Sequence, residues 1–270
     1  METYKKFDTL FAFERYLNDN PIRPNYQDGW AQASSREGNK KWYGTKTWDE
    51  ARELFKKGDR KIAKAITGGV IKMTRKSHRD VARIETSVVG VAPHVANYIA
   101  GRPNAMINVV KRRMAASVVT CVYNISVNGG ISSAEMSEAA IKMLSAIKII
   151  EDSGTRVNLY LVDISKGNGD EIGWALRIKT SSQHLDILKT TYPLCNTSML
   201  RRHSFRFTEV TPNAFGAGDY GYAVKDTTKL CKAVGIRDAV SVSFYDIKSS
   251  MTAFDIAEHI MKQAARPHVK

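Results

Sequence analysis

Residues 117–127 read S-V-V-T-C-V-Y-N-I-S-V. This is a near-continuous run of β-branched and apolar residues, the pattern of a strand buried on both faces. The polar stretch N-G-G-I-S-S follows. Ser132 and Glu135 have the spacing of a capping box, which predicts a helix start. In the next segment Met136, Ala140, Met143, Leu144 and Ile147 fall on one helical stripe, and Gly154 stops it. A second strand-like run, R-V-N-L-Y-L-V-D-I (156–164), comes at once. A strand–helix–strand unit of this kind implies parallel strands and a right-handed crossover.

Outward from that unit, strands are expected at 174–179, 204–210 and 239–247, and helices at 183–192, 226–234 and 253–266. Residues 116–270 therefore read as an α/β domain, an open, largely parallel sheet covered by helices. Residues 1–115 read as a basic, mainly helical region with loops. Phe7, Leu10, Phe11, Phe13, Tyr16 and Leu17 suit a short amphipathic helix. Residues 21–41 are loop-like. Thr47 and Glu50 have capping-box spacing before a helix with Ala51, Leu54 and Phe55 on its apolar face, ended by Gly58. Lys61–Ile66 suits one further turn or two. Residues 68–90 mix two β-like runs around an exposed basic loop or hairpin, and His94–Ala100 reads as a short helix.

The chain has 270 residues, 43% hydrophobic and 25% charged, an ordinary globular composition. No run of about 18 apolar residues is present, so no transmembrane helix is expected. The first twenty residues lack a signal-peptide core. Cys121, Cys195 and Cys231 are scattered, form no metal-binding spacing, and suit buried, reduced packing residues. The six histidines are dispersed, as expected of surface or hydrogen-bonded core positions. The nucleophile-elbow, Walker, dinucleotide-binding and zinc-protease motifs are all absent.

Charge is the most informative property. The net charge is +14. Residues 1–115 hold 23 Lys and Arg against 12 Asp and Glu, a net of +11, and the remainder holds 18 against 15, a net of +3. Such asymmetry points to a polyanionic partner. The candidate nucleic-acid contacts are Lys40, Lys41, Trp42, Arg75, Lys76, Arg79, Lys111, Arg112, Arg113, Arg201 and Arg202. Cationic groups neutralise phosphates, while an aromatic face such as Trp42 stacks on bases. The clusters at 111–113 and 201–202 each precede a strand-like run, so both are expected at exposed sheet edges.

In a sheet of this type ligands sit beyond the carboxyl ends of the strands. Asn124, Ser126 and Asn128 end the first strand, Asp163 lies at the end of the second, and Asp246 at the end of the last. The first strand, its x-S-x loop and the following helix resemble the von Willebrand factor A fold over about residues 117–265. That family carries D-x-S-x-S here and binds magnesium through it. This chain has Asn124 for the first Asp and Asn128 for the last Ser, and neutral Asn cannot balance the ion's charge. The resemblance thus implies the fold with a degenerate metal motif. Ser126, Asp163 and Asp246 are what remains as candidates for a metal, and no cofactor is expected.

Four segments carry a second resemblance: W-Y-G-T-K-T-W-D-E-A-R-E-L-F-K-K-G-D (42–59), V-V-G-V-A-P-H-V-A-N-Y-I-A-G-R-P-N-A-M-I (88–107), E-D-S-G-T-R-V-N-L-Y (151–160) and M-L-R-R-H-S-F-R-F-T-E (199–209). In this order they resemble a family of uncharacterised proteins encoded by tailed phages, prophages and archaeal viruses. The resemblance implies a viral source, with the protein in the host cytoplasm or the virion. The resulting expectation is a non-enzymatic phage-type protein that binds nucleic acid or acts in assembly through a basic surface. The alternatives are a self-associating virion component with phage-protein partners, and a metal-dependent enzyme acting on nucleic acid.

Overall fold

The computed structural model describes residues 2–27, 32–71, 82–111, 117–212, 215–216, 218–247 and 249–265. The chain opens with a strand, β1 (Glu2–Phe7), and the helix α1 (Leu10–Asp19), capped by the Thr9 hydroxyl, which accepts from the Ala12 N–H at 3.0 Å. Short 3₁₀ turns at Pro24–Tyr26 and Ala33–Ser35 lead to α2 (Lys40–Tyr43), α3 (Trp48–Lys57) and α4 (Arg60–Ile71). Thr47 caps α3 by accepting from the Glu50 N–H. Glu50 accepts instead from the Lys46 N–H, so the reciprocal half of the expected box is redirected by one residue.

Contacts divide the chain into two units, residues 1–74 with 118–270, and residues 75–117. The split at residue 115 suggested by charge is thus not the structural one. The N-terminal helices belong to the same unit as the α/β sheet, and the second unit is an insertion. That second unit contains β2 (Ala82–Ser87), β3 (Ala92–Pro93), α5 (Val95–Ile99) and β4 (Met106–Lys111), with both other strands antiparallel to β4. The short helix read over His94–Ala100 is α5, with His94 as its N-cap.

The first unit continues with β5 (Val118–Asn124), α6 (Ser133–Asp152), β6 (Arg156–Gly167), β7 (Asp170–Lys179), α7 (Ile187–Cys195), a π-helix (Met199–Ser204), α8 (Phe205–Val210), β8 (Tyr222–Ala223), α9 (Thr228–Ala233), β9 (Ala239–Ser243) and α10 (Ala253–Ala264). The sheet order is β1-β7-β6-β5-β9, with β8 on β6. The pairs β1/β7, β6/β5 and β5/β9 are parallel, whereas β7 and β8 run antiparallel to β6. This is the expected α/β class, a mostly parallel, helix-covered sheet of Rossmann-like type. The Ser132–Glu135 capping box is complete.

Alternation along β5 sends Val119, Cys121 and Tyr123 into the larger core, with α1, α3, α6, α7, α8 and α10, and Val122 into a smaller cluster with Leu230 and Ile236. Both faces are covered, which is why the strand reads as an uninterrupted apolar run.

Three elements differ from the sequence reading. Residues 2–7 form an edge strand; their charges, Lys5 and Lys6, suit an unpaired edge and disguise it. β6 and β7 form a two-residue hairpin through Asn168 and Gly169, with φ of 50° and 83°, so β7 is not a parallel strand following a helix. Residues 204–210 are helical. Their alternating apolar residues mimic a strand, but Met199, Leu200, Phe207 and Val210 recur at helical spacing and enter the core together.

Candidate functional site

Asn124 and Ser126 turn inward at the carboxyl end of β5. The Asn124 carboxamide donates to the carbonyls of Val224 and Lys225 at 2.8 and 3.2 Å and accepts from the Ser126 N–H at 2.9 Å. The Ser126 hydroxyl accepts from the Ile164 N–H at 2.7 Å and donates to Asp163 Oδ1, also at 2.7 Å. It is therefore committed on both sides and unsuited to act as a nucleophile. Asp163 projects from β6 and is only 6% exposed. Burial pushes its carboxyl up to about 6, although Ser126, Ser204 and the Ile164 N–H favour the ionised form. Among the described residues no Lys, Arg or His forms an ion pair with it.

Ser126 and Asp163 line a cavity of about 470 Å³. Its other walls include Trp42 from α2, Phe205 from α8, Tyr220 from the segment before β8, and Tyr222, the first residue of β8. The Phe205 and Tyr220 ring centroids are 4.3 Å apart, and those of Trp42 and Phe205 6.1 Å. Tyr220 is fixed from behind: its hydroxyl donates to Glu209 Oε1 at 2.7 Å and accepts from the Ala33 N–H at 2.8 Å. Burial raises the Glu209 carboxyl, opposed by hydrogen bonds from Ser34 and Tyr220. Tyr222 is 78% exposed.

The two arginines expected on the surface are buried, a correction to the sequence reading. Arg201 donates to the Trp42 carbonyl at 2.7 Å and to the Ile131 carbonyl, with its guanidinium 4.3 Å from the Trp42 ring centroid. Arg202 donates to Thr45 Oγ1, Ser34 O and Thr45 O at 2.8–3.0 Å and lies 4.5 Å from the Tyr43 ring centroid. They are staples that hold residues 34–45 against the π-helix. Neither can meet a phosphate through donors already spent on backbone carbonyls. The run M-L-R-R-H-S precedes a helix here, not a sheet edge, so the rule that placed these cations in solvent did not apply.

Lys40 and Lys41 are exposed. Lys40 lies 3.0 Å from Glu50. Trp42, on the same short helix, is half-buried and donates its indole N–H to the Gly129 carbonyl at 3.2 Å. It thus both packs the chain and walls the cavity. Arg75, Lys76, Arg79, Arg112 and Arg113 lie outside the described residues; Lys111 ends β4. Arg60 and Lys61 form a basic cluster in the sequence but, with Lys64, are not among the expected contacts. They are exposed on α4, and like Lys41 they pair with no carboxylate among the described residues. Their signal was the i, i+1, i+4 spacing opposite buried Ile66.

Asp246 is not assembled with Asp163 into a metal site. Its carboxyl accepts from the Ser243 N–H and hydroxyl at 2.9 and 2.7 Å and pairs with Lys225 at 2.7 Å. Burial works against its ionisation, but Lys225 and Ser243 prevail and hold it below its usual range. Among the described residues no three His, Cys, Asp or Glu side chains gather in a way that could hold an ion.

A family model described as "Domain of unknown function (DUF7192)" matches residues 2–263. No curated protein matches the chain. No helix among the described residues is long and apolar enough to cross a membrane.

Proposed function

The chain belongs to the DUF7192 family, and from that premise we propose that it is a non-enzymatic phage-type protein that binds nucleic acid through a basic surface. The observation that carries this reading is a group of exposed cations, among them Lys41, Arg60, Lys61 and Lys64, that pair with no carboxylate among the described residues, in a chain of net charge +14. Surface lysines on a near-neutral protein usually sit among carboxylates, as Lys57 does with Glu53. Exposed cations without such partners attract a polyanion and gain from counterion release on meeting phosphates. Lys40 and Lys41 directly precede Trp42, so phosphate contact and base stacking fall within one short helix. The motif resemblance in the sequence supports a viral source.

The test is binding of the full chain to generic single-stranded DNA and RNA at low salt. Lys41→Glu, Lys61→Glu and Lys64→Glu together should weaken it by at least tenfold, since a few lost phosphate contacts have that effect. No binding by the unaltered chain would overturn the reading.

A second reading, an assembly component, rests on a different observation. In the inserted unit Val88, Val89, Val91, Val95, Tyr98 and Ile99 are each 64–79% exposed. A concentration of large apolar side chains in solvent favours a protein contact. Light scattering at high concentration should then show a defined assembly, and a clean monomer counts against it.

A further inference from the structure

The cavity at the end of β5 is not explained by phosphate binding. The cation among its described lining residues, Arg201, is held inside the wall: it donates to the Trp42 and Ile131 carbonyls and lies over the Trp42 ring. What it offers is aromatic walls and one carboxyl, Asp163, that is nine-tenths buried and forms no ion pair among the described residues. Aromatic walls take a flat ring. A carboxyl in its ionised form only accepts, so it selects a ligand that brings its own N–H donor. The volume, about 470 Å³, is that of a small-molecule site and exceeds what a single base and sugar fill.

We propose that this cavity receives one unpaired nucleobase bearing an exocyclic amino group, stacked against Trp42, Phe205 and Tyr220, with the amino group donating to Asp163. The inference rests on the nucleic-acid reading above for where the base comes from. Lys41, exposed and next to Trp42 in the chain, would meet a phosphate of the bound nucleotide. Cytosine, adenine and guanine all present an amino donor. Uracil and thymine place carbonyl oxygens there, and two acceptors face each other with no proton between them. A site built to accept an N–H rejects the isostere that lacks it because its buried acceptor is left unpaired.

The decisive comparison is cytidine against uridine, which differ at that one group, titrated calorimetrically into the full chain. Cytidine should bind at least roughly tenfold more tightly. Asp163→Asn, which supplies a donor as well as an acceptor, should bring the two within about twofold. Tyr222→Ala, at an exposed position, should weaken both nucleosides equally and leaves the core untouched. Equal binding of cytidine and uridine by the unaltered chain, or binding of neither, overturns the proposal. A parallel arm with oligo-dC and oligo-dT separates the two readings. Salt-sensitive binding of both oligonucleotides with no nucleoside preference sinks the pocket alone. Nucleoside preference without oligonucleotide binding sinks the basic surface and keeps the pocket.

Discussion

Two side chains with opposite pKa shifts set the pH response of this fold. Asp163 has its folded-state pKa raised from 3.8 to about 6. Its stabilising contribution is present while it is protonated in both states, below about pH 4, and is lost as pH rises through 6. Between pH 4 and 7.5 that loss amounts to roughly 3 kcal/mol. Denaturant unfolding of Asp163→Asn should lack this fall, gaining on the unaltered chain as pH rises. His203 behaves in the opposite sense. It is fully buried between Phe55 and Trp48, and burial lowers its pKa from 6.5 to about 3. Stability from the neutral ring is present above pH 6.5 and drains away as pH falls towards 3. His203→Phe should therefore resist acid unfolding better than the unaltered chain. Arg202 is a third case. Replacing it with Met strands the Ser34 and Thr45 carbonyls and should cost roughly 3 kcal/mol of unfolding free energy in denaturant titrations. None of these roles was legible in the sequence. R-R-H reads as a surface cluster, and only the segment it staples, far away in sequence, makes it a buried one.

Glycines and their neighbours separate what was legible among the elements. Gly58 was read as the end of α3, and it is. The sequence did not tell that the adjacent strand of backbone lies close enough for an added Cβ to stand 2.0 Å from the Leu188 carbonyl oxygen, at a φ of 75°. Gly58→Ala should cost roughly 3 kcal/mol because both the backbone and α7 must move. Gly169 also has positive φ, at 83°, but nothing lies within 4 Å of its would-be Cβ. Gly169→Ala should cost only about 1 kcal/mol, the backbone preference alone. Thermal unfolding of the two variants side by side tests that contrast. The Asn168-Gly169 pair was the plain signal of the β6/β7 hairpin, since consecutive positive φ angles are what a tight hairpin needs. It went unread because the surrounding strands and helices alternate as a parallel sheet does. The segment 204–210 gave no such signal. Its period of two is real, and tertiary packing of the helix that begins at Met199 overrides it.

At the scale of the whole molecule, the expected class of fold stands, while the site was only partly legible. Asn124, Ser126 and Asp163 were found by the rule that ligands sit at strand ends, and Trp42 by its place among lysines. Phe205, Tyr220 and Tyr222 were missed because residues far apart along the chain converge only once α8 and β8 are in place. The net charge of +14 was plain, yet composition does not say which cations are spent internally. Arg201 and Arg202 are held by internal hydrogen bonds, whereas Lys41, Arg60, Lys61 and Lys64 pair with no carboxylate among the described residues. The measurement that tests this division most directly is affinity for a single-stranded oligonucleotide as a function of salt. The account predicts that the logarithm of the association constant falls linearly with that of salt, and that each removed lysine contact flattens the slope by about 0.7. Lys61→Glu with Lys64→Glu should flatten it by about 1.4 on that basis. A binding constant indifferent to salt, or a slope that those two substitutions leave unchanged, would contradict it.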